Sequence, residues 1–288
     1  MLLQHIANGI IVGSIYALMA IGFAIVFSLL GLINFSHGQV FMFGAFIALH
    51  FTRTISSNVF IVLFLTSVVV SVLGIGIERI AIRPLRERKA PRASGLITTL
   101  AFGIFIENLV VILFSANPQP FRPPFSVRFH EIHGVFISSL EIFILLFTLV
   151  LFVVITLIMR KTKFGVAVRA CAQDFEITSL MGINVNRVIA GVFAMGAMLA
   201  AVGGILIGYY FRFVEPGMGS IVGLKGFTAS VLGGTGMVSG AVLGGYVLGV
   251  LESLGAAATT AQYRDIIAFT VLILILLFKP EGILGKKR

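Results

Sequence analysis

The sequence is short of charged residues, and this scarcity restricts the class of protein more than any other feature. Only 11% of the 288 residues are Asp, Glu, Lys or Arg, whereas 58% are hydrophobic. An average soluble domain has roughly 25% charged and about 45–50% apolar residues. A soluble chain this apolar has too little polar side chain to cover its surface. The composition therefore excludes an ordinary soluble protein and indicates one that lies mostly in a lipid bilayer.

Other residue types are also scarce. Cys171 is the single cysteine, which excludes an intrachain disulfide and leaves the redox compartment open. The first charged side chain is Arg53, so the N-terminal apolar stretch is much longer than the roughly 7–15-residue core of a cleavable signal peptide. That stretch also lacks the basic start of a signal peptide. We therefore expect the first helix to remain in the mature protein.

The net charge of +10 raises the question of a nucleic-acid partner. The basic residues are grouped in a few short segments between apolar runs, which is the arrangement of membrane-protein loops that remain in the cytoplasm. The sequence thus indicates membrane lipid, and no nucleic acid, as the surroundings of this chain.

Long apolar runs predict the crossings, since a spanning helix needs about 20 mainly apolar residues. Besides the long runs given below, run 38–51 is too short for a full span, and run 226–251 is interrupted by glycines. We expect an all-α, polytopic membrane protein with about eight transmembrane helices, some broken or re-entrant, in a single membrane domain over residues 1–288. The longer runs are 6–30, 59–77, 95–115, 138–159, 188–211 and 264–278.

The distribution of Lys and Arg predicts the orientation. Segments 78–92 and 160–187 and the tail Lys286-Lys287-Arg288 are basic and are expected in the cytoplasm, which makes the proline-rich loop 117–134 external. Between residue 188 and the C-terminus the number of crossings must then be even. Run 226–251 is either a re-entrant pair of half-helices, which the glycines favour, or one broken and one full crossing. The side of the N-terminus stays open, because it depends on whether run 38–51 crosses.

A polar step interrupts the apolar sequence at residues 34–38. Polar groups buried in a membrane are costly and usually face a cavity or another polar group. Asn34, His37 and Gly38 are therefore candidates for a broken helix that lines a solute path. The alternative is an interfacial turn in which Asn34 and Ser36 cap the following helix.

Two ionisable residues lie in other apolar runs. Glu107, next to Asn108, is near the middle of run 95–115, and an ionisable group at such a depth is a functional candidate by default. The alternative for both residues is a structural hydrogen bond. Glu252 lies at a helix end, where an interfacial charge is the simpler interpretation.

Glycines four residues apart recur within the predicted helices, and small residues at this spacing let two helix backbones approach closely. They predict tight packing within the chain, with a subunit interface or a moving contact as the alternative. The members that we single out are Gly204, Gly208, Gly236, Gly240 and Gly244.

Segment 165–182 lies between two predicted spans and has helical spacing of its apolar residues. The pattern predicts one short amphipathic helix that ends at Gly182, since glycine is favoured just after a helix. Such a helix either lies on the membrane surface or binds a partner on the cytoplasmic side.

Several chemical signatures are missing. The sequence has no phosphate-binding loop of the Gly-x-x-x-x-Gly-Lys-Ser/Thr type, no His, Cys and carboxylate set with metal-ligand spacing, and no nucleophile–base pattern. We expect no catalytic residue, no metal site and no cofactor in this chain.

Several segments, taken together, resemble the branched-chain amino acid permeases of ATP-binding cassette (ABC) transporters. The resemblance extends over essentially the whole chain, with the motifs in the expected order, and the length resembles the shorter, Liv-H type of permease subunit. The segments are Gly31-Leu-Ile-Asn-Phe-Ser-His-Gly-Gln39, Arg169-Ala-Cys-Ala-Gln-Asp174 with Gly182-Ile-Asn184, Lys225-Gly-Phe227, Val231-Leu-Gly-Gly-Thr-Gly236, Gly240-Ala-Val-Leu-Gly-Gly245 and Lys279-Pro-Glu-Gly282.

The resemblance implies a non-catalytic subunit of an inner-membrane importer. Two permeases, usually non-identical, would form the solute path, two ATPase subunits would bind from the cytoplasm, and a periplasmic or extracellular binding protein would deliver the solute. ATP and Mg²⁺ would be bound by the ATPases only. The cytoplasmic segment would couple ATP hydrolysis to transport, and its candidate residues are Gly165, Arg169, Ala172, Asp174, Glu176 and Gly182.

The substrate is less restricted than the class of protein. The resemblance favours branched-chain amino acids, with other neutral amino acids, or urea and short amides, as alternatives within the same class. A self-sufficient secondary transporter that uses Glu107 as its coupling group is the competing hypothesis. A channel and a membrane-embedded enzyme are the remaining alternatives.

Overall fold

A computed structural model describes residues 2–132, 134–279 and 281–285 of the chain. Within these ranges the protein is almost entirely helical, and its two small sheets have two strands each. The helices are α1 (Leu2–Leu30), α2 (His37–Thr54), α3 (Val59–Ile77), α4 (Arg83–Glu87), α5 (Arg92–Phe114), α6 (Ser139–Lys161), α7 (Lys163–Gln173), α8 (Phe175–Leu180), α9 (Val185–Phe211), α10 (Met218–Gly233), α11 (Val238–Ala258) and α12 (Arg264–Phe278).

Six helices of the described part are long and apolar enough to cross a membrane, and α2, α10 and α12 are shorter. The six are α1, α3 with its continuation to Glu87, α5, α6, α9 and α11. This architecture confirms the prediction of an all-helical polytopic membrane protein with interrupted segments.

Helix α1 is the centre of the molecule. It packs against α9, α10 and α11, and Ile15, Met19 and Ala20 are fully buried. Its low hydrophobic asymmetry, with apolar residues on every side, is the pattern of a helix that neighbours surround. Helices α5 and α6 lie outside this core and expose apolar side chains such as Ile112 and Leu146, as expected of helices that face lipid or another apolar subunit.

Polar side chains cap the N-termini of five helices, α3, α6, α7, α8 and α9. Asn58 accepts a hydrogen bond from the backbone N–H of Phe60 at 2.9 Å, and Ser138 forms a reciprocal capping box with Glu141. These bonds satisfy backbone donors that have no partner within the helix.

Residues that approach one another across the chain define two sides of the molecule. The Gln4 side chain exchanges hydrogen bonds with the backbone of Phe136, at 2.8 and 2.9 Å. The N-terminal end of α1 therefore lies on the same side as the strand pair Phe129–Ile132 and Val135–Ser138, which we call the hairpin side. Helices α7 and α8 follow the far end of α6, so they lie on the opposite side.

The chain between α1 and α2 turns back into the molecule. Helix α1 ends on the opposite side at Leu30, and Gly31 follows with a positive φ of 61° that suits glycine. The next residues follow α5, where the backbone N–H of Phe35 donates to Thr99 Oγ1 at 3.2 Å. Helix α2 then starts inside the protein and ends at Thr54, and Arg53 in its last turn lies beside Gln119 on the hairpin side. The whole segment therefore runs from the opposite side to the hairpin side, with an irregular part before α2.

The glycine-rich region also contains a break, but not the favoured pair of half-helices. The short helix α10 and the full-length helix α11 are separated by Gly234 and Gly236, both with positive φ. The prediction of two half-helices is therefore wrong for α11. The prediction fails because most glycines in α11 permit close packing against neighbouring helices and do not interrupt the helix.

The predicted loop 117–134 contains strands that the sequence did not indicate. Gln119–Pro120 pairs antiparallel with Phe213–Val214, and Phe129–Ile132 pairs with Val135–Ser138. These short ladders close the hairpin side of the helical core and tie it to the end of α9.

The five glycines singled out in the sequence lie against backbone or bulky side chains. A Cβ on Gly204 would overlap the carbonyl oxygen of Phe41, and one on Gly244 would overlap that of Ala229. Gly240 lies against Gly233, and a Cβ on Gly208 would approach Phe121 to 2.6 Å. Gly236 is less confined, with Ser28 at 3.4 Å, but its φ is 84°.

We expect Gly204→Ala to destabilise the protein by about 1–3 kcal/mol, because the added methyl group separates α9 from α2. Gly76→Ala is the matched control, since a Cβ there has no neighbour within 4 Å. Thermal unfolding of the purified variants in detergent measures the difference. Equal loss, or no loss, in both variants would contradict the close packing of α2 on α9.

Candidate functional site

The polar step 34–38 is buried in the centre of the protein. Asn34 Oδ1 accepts hydrogen bonds from the N–H and the hydroxyl of Ser36, at 3.2 and 2.6 Å. Asn34 thus turns the chain at the start of α2. His37 is 2% exposed, its ring centre lies 4.5 Å from that of Phe23, and its Nε2 has no hydrogen-bond partner among the described residues.

Gly38 lets α2 and α10 meet near their starts. A Cβ on Gly38 would overlap the carbonyl oxygen of Gly219 and would stand 2.9 Å from Cα of Gly223. The backbones are therefore in direct contact, and the irregular segment before α2 is enclosed by protein, as irregular backbone at membrane depth must be.

Glu107 and Asn108 lie on α5 and point differently. Glu107 is half-buried, and its Oε1 lies 3.8 Å from the position that a Cβ of Gly217 would take. Asn108 is exposed and donates to the carbonyl oxygen of Ile104 in its own helix at 2.8 Å. The structural alternative that the sequence left open thus describes Asn108, whereas Glu107 faces the start of α10.

The polar step 34–38 and Glu107, which the sequence predicts separately, come together around the start of α10. Gly38 contacts Gly219, Glu107 lies beside Gly217, and between them the amide of Gln39 donates to Ser220 Oγ at 3.0 Å. We call Gln39, Glu107, Gly217 and Ser220 the α5–α10 polar strip. Ser220 is exposed, so the strip reaches the outer surface of the chain, whereas Asn34 and His37 lie deeper.

Segment 165–182 forms two helices, so the prediction of one amphipathic helix is wrong. The break is at Asp174, which has extended backbone angles and whose carboxylate accepts from the N–H groups of Glu176 and Ile177 at 2.7 and 2.9 Å. An aspartate that caps a new helix competes with continuation of the previous one. The chain does turn at Gly182, where φ is 81°.

The other candidate coupling residues divide between packing and exposure. Gly165 is buried at the start of α7 against the backbone of Met159, and Arg169 donates to the Met159 carbonyl oxygen. Ala172 and Glu176 are exposed. The first pair therefore fixes α7 to the end of α6, whereas the second pair is available to another molecule.

An apolar surface at the end of α8 was not singled out in the sequence. Leu180 is 86% exposed, Met181 78% and Ile177 61%. Three neighbouring apolar side chains are thus exposed on and just after a short helix outside the long apolar helices, and exposed apolar groups of this kind are typical of interaction sites. We call them the α8 knob. The sequence shows these three residues only as part of the helical spacing of apolar residues in segment 165–182.

Helix α7 connects this surface to the core. Cys171 is buried on its inner face, and burial raises the pKa of the thiol above its usual value of about 9. A smaller thiolate fraction makes Cys171 a poor nucleophile. Nearby, Arg86 contacts Asn186 of α9 and lies 3.8 Å from the buried carboxylate of Glu78, so α3, α4 and α9 meet next to α7.

A cavity with charged groups, which no local sequence pattern predicts, opens near the hairpin side. It has a volume of about 230 Å³. Its polar lining comes from Tyr16, Glu215, Lys225, Glu252, Arg264 and Asp265, and its apolar lining includes Val12, Ile207, Met218 and Val222.

Lys225 of α10 contacts residues of three other helices, α1, α11 and α12, at this cavity. Its ammonium group lies 2.9 Å from Glu252 Oε1 and 2.7 Å from Asp265 Oδ1, and it donates to Tyr16 Oη at 3.4 Å. Lys225 and Glu252 are almost fully buried. The interpretation of Glu252 as a simple interfacial charge therefore omits its partner. A lysine and a glutamate within two apolar helices were the available signal.

Within the described ranges, no three His, Cys, Asp or Glu residues form a group that could hold a metal ion. The buried polar break, the apolar exterior and the exposed α8 knob are features of a polytopic helical permease. This is the class of protein that the fold defines.

The comparisons with known proteins identify the family. The family model described as "Branched-chain amino acid transport system / permease component" matches residues 5–276. The chain belongs to this family of transport permeases. No solved structure matches the chain.

Three curated relatives support the assignment along nearly the whole sequence. The chain is 42% identical to the high-affinity branched-chain amino acid transport system permease protein BraD of Pseudomonas aeruginosa, over 99% of this chain and 96% of that protein. It is 38% identical to the permease protein LivH of Escherichia coli with the same coverage. It is 28% identical to a probable LivH of Methanocaldococcus jannaschii, over 96% and 91%.

Proposed function

We propose that this protein is the membrane-spanning permease subunit of an ABC importer that carries branched-chain amino acids. The observation that carries the proposal is the full-length similarity to permeases whose names specify this transport. The substrate itself is taken from those names. Urea, short amides and other neutral amino acids are the alternatives within the same class.

The proposed orientation places the opposite side in the cytoplasm. The segments around α4, α7 and α8 carry most of the basic residues, and basic loops remain on the cytoplasmic side. Ile283 donates to the carbonyl oxygen of Leu232, which is near the α10–α11 turn on the same side. The C-terminus is then cytoplasmic, whereas the N-terminus and the hairpin are external.

The proposed coupling element is the α7–α8 segment, with the α8 knob as its contact surface. An ATPase subunit would cover Leu180, Met181 and Ile177, which are exposed as an apolar group on the cytoplasmic side. Arg169 and Gly165 hold α7 to α6, and α7 packs against α9 and α1. A displacement of α8 would therefore reach the central helices through direct contacts.

The proposed solute path follows the α5–α10 polar strip. Polar groups on an outer helix face are costly if they face lipid, so we place a second permease subunit or water next to Glu107 and Ser220. The buried residues Asn34 and His37 would then act from behind, by shaping the start of α2. The chain carries no ATP site in this scheme, and ATP and Mg²⁺ belong to the ATPases.

Affinity purification from the native membrane tests the class of transporter. A tagged version of the chain should co-purify with two ATPase subunits and, if the transporter is a heterodimer, a second permease. The variant Leu180→Asp in the α8 knob serves as the negative control for the ATPases. Purification as a lone oligomer that retains transport activity would support the secondary-transporter or channel hypothesis instead.

A further inference from the structure

We propose that the cavity around Lys225 is a second binding site, within one subunit, for a small zwitterion: an α-amino acid with an apolar side chain. The site is separate from the α5–α10 polar strip, and nothing in the known relatives' names assigns it. The inference rests on the proposed function for the identity of the ligand, and on the cavity for its place.

The first observation is the position of the cavity. It is lined by Phe211 and Phe213 at the end of α9 and by Glu215 just after the short strand there. Phe213 pairs with Pro120 of the hairpin-side loop. The cavity therefore lies on the external side in the proposed orientation, where an incoming solute arrives first.

The second observation is the charge of the lining. Three carboxylates, Glu215, Glu252 and Asp265, and two cations, Lys225 and Arg264, face one small space. Charges of both signs suit a ligand that itself carries both signs. A purely cationic or purely anionic ligand would meet repulsion from one of the two groups.

The third observation is a set of unused hydrogen-bonding atoms. Glu252 accepts from Lys225 through Oε1, but its Oε2 has no partner among the described residues. The Nε of Arg264 is likewise buried and unpartnered. A buried polar atom without a partner costs free energy. Both atoms are closed off from the cavity in this arrangement, so a ligand binds them when the two side chains turn: an α-ammonium group would then donate to the carboxylate, and an α-carboxylate would accept from the guanidinium.

The fourth observation is the apolar part of the wall. Val12, Ile207, Met218 and Val222 line the same space, and methionine adapts to ligands of different shape. The volume of about 230 Å³ is below the roughly 300–1,000 Å³ of drug-sized ligand sites. The space suits one small metabolite with an aliphatic side chain.

Ligand analogues test the chemistry on the unmodified protein. The complete transporter in nanodiscs, without ATP and without the binding protein, should bind radiolabelled leucine saturably. Isocaproate lacks the ammonium group and isoamylamine lacks the carboxylate. We expect each to compete about 10-fold or more weakly than leucine, because each loses a hydrogen bond to a charged group. Equal competition by either analogue would overturn the zwitterion assignment.

A variant locates the site. Glu252→Gln removes the charge of the proposed ammonium partner and should weaken leucine binding by about 10-fold or more. Glu131→Gln, on the exposed strand of the hairpin, is the matched control and should bind as the unmodified protein does. Unchanged binding in Glu252→Gln would refute the location. If that variant does not fold, the analogue series still decides the chemistry.

The proposed function and this inference fail differently. If the assembled transporter does not import leucine, the proposed function fails. If it imports leucine but shows no saturable binding without the binding protein, or binding that Glu252→Gln leaves unchanged, only the second site is refuted.

Discussion

Replacing Leu180 with aspartate is expected to detach the ATPase subunits and abolish ATP-driven transport. Leu180 is 86% exposed at the end of α8, so the substitution changes no internal packing. A carboxylate at the centre of an apolar contact must be desolvated without a partner. Loss of such an anchor costs about 2 kcal/mol or more, which corresponds to about 30-fold weaker association. Co-purification and leucine uptake measure the two consequences.

Phe129→Asp is the matched control for this prediction. Phe129 is also an exposed apolar residue, at 68%, but it lies on the hairpin side in the strand Phe129–Ile132. Its variant should retain the ATPases. Membrane insertion of both variants is checked by their yield in the membrane fraction. If Leu180→Asp retains the ATPases as fully as Phe129→Asp does, the α8 knob is not the docking surface.

Replacing Lys225 with methionine is expected to destabilise the protein strongly. Lys225 is the cation between Glu252 and Asp265, at 2.9 and 2.7 Å. Its removal leaves the buried carboxylate of Glu252 without a counter-charge. Breaking a buried ion pair from one side costs about 3–5 kcal/mol. The midpoint of thermal unfolding should fall accordingly, and α10, α11 and α12 should separate first because Lys225 joins them.

A double variant distinguishes the lost charge pair from the lost side chain. Lys225→Met with Glu252→Gln removes the uncompensated charge and should recover part of the stability. Lys163→Met is the matched control, since Lys163 is exposed and its loss should change stability by less than about 0.5 kcal/mol. If the double variant is no more stable than Lys225→Met, the ion pair does not explain the effect.

The sequence predicts the fold well where a single property, hydrophobicity, extends over a long stretch of residues. Runs of apolar residues specify spanning helices regardless of detail, so the core helices agree with their predicted ranges. The break at residues 34–38 was also visible, because a polar step in an apolar run has few explanations. Glycine was harder to interpret. Gly240 and Gly244 permit contact with α10, whereas Gly234 and Gly236 form the turn between α10 and α11. Only the backbone geometry distinguishes a glycine that permits packing from one that ends a helix.

Long-range pairs were beyond the sequence. Lys225, Glu252 and Asp265 lie on three helices, and no local pattern shows that they converge. The sequence shows no partner for Glu252, and Lys225 stands out only within a motif that resembles the permease family. The exposure of the α8 knob could not be predicted from the sequence for a related reason. Amphipathic spacing identifies the apolar residues of 165–182, but the break at Asp174 decides which of them face outward.

The site residues divide in a way that the sequence could not anticipate. Glu107 and Gly38 lie around the start of α10, whereas Asn108 bonds to its own helix. The role of all the pathway and coupling residues remains a prediction. Their positions make it specific, because the polar strip, the Lys225 cavity and the α8 knob are three separate places that single variants address independently.

Transport by purified components tests the central claim most directly. The chain is reconstituted in proteoliposomes with a second permease and two ATPases, and the binding protein is added outside. We predict uptake of leucine that requires ATP inside, the binding protein outside and every subunit. Uptake by this chain alone, driven by a proton or sodium gradient and lost in Glu107→Gln, would contradict the account and establish a secondary transporter.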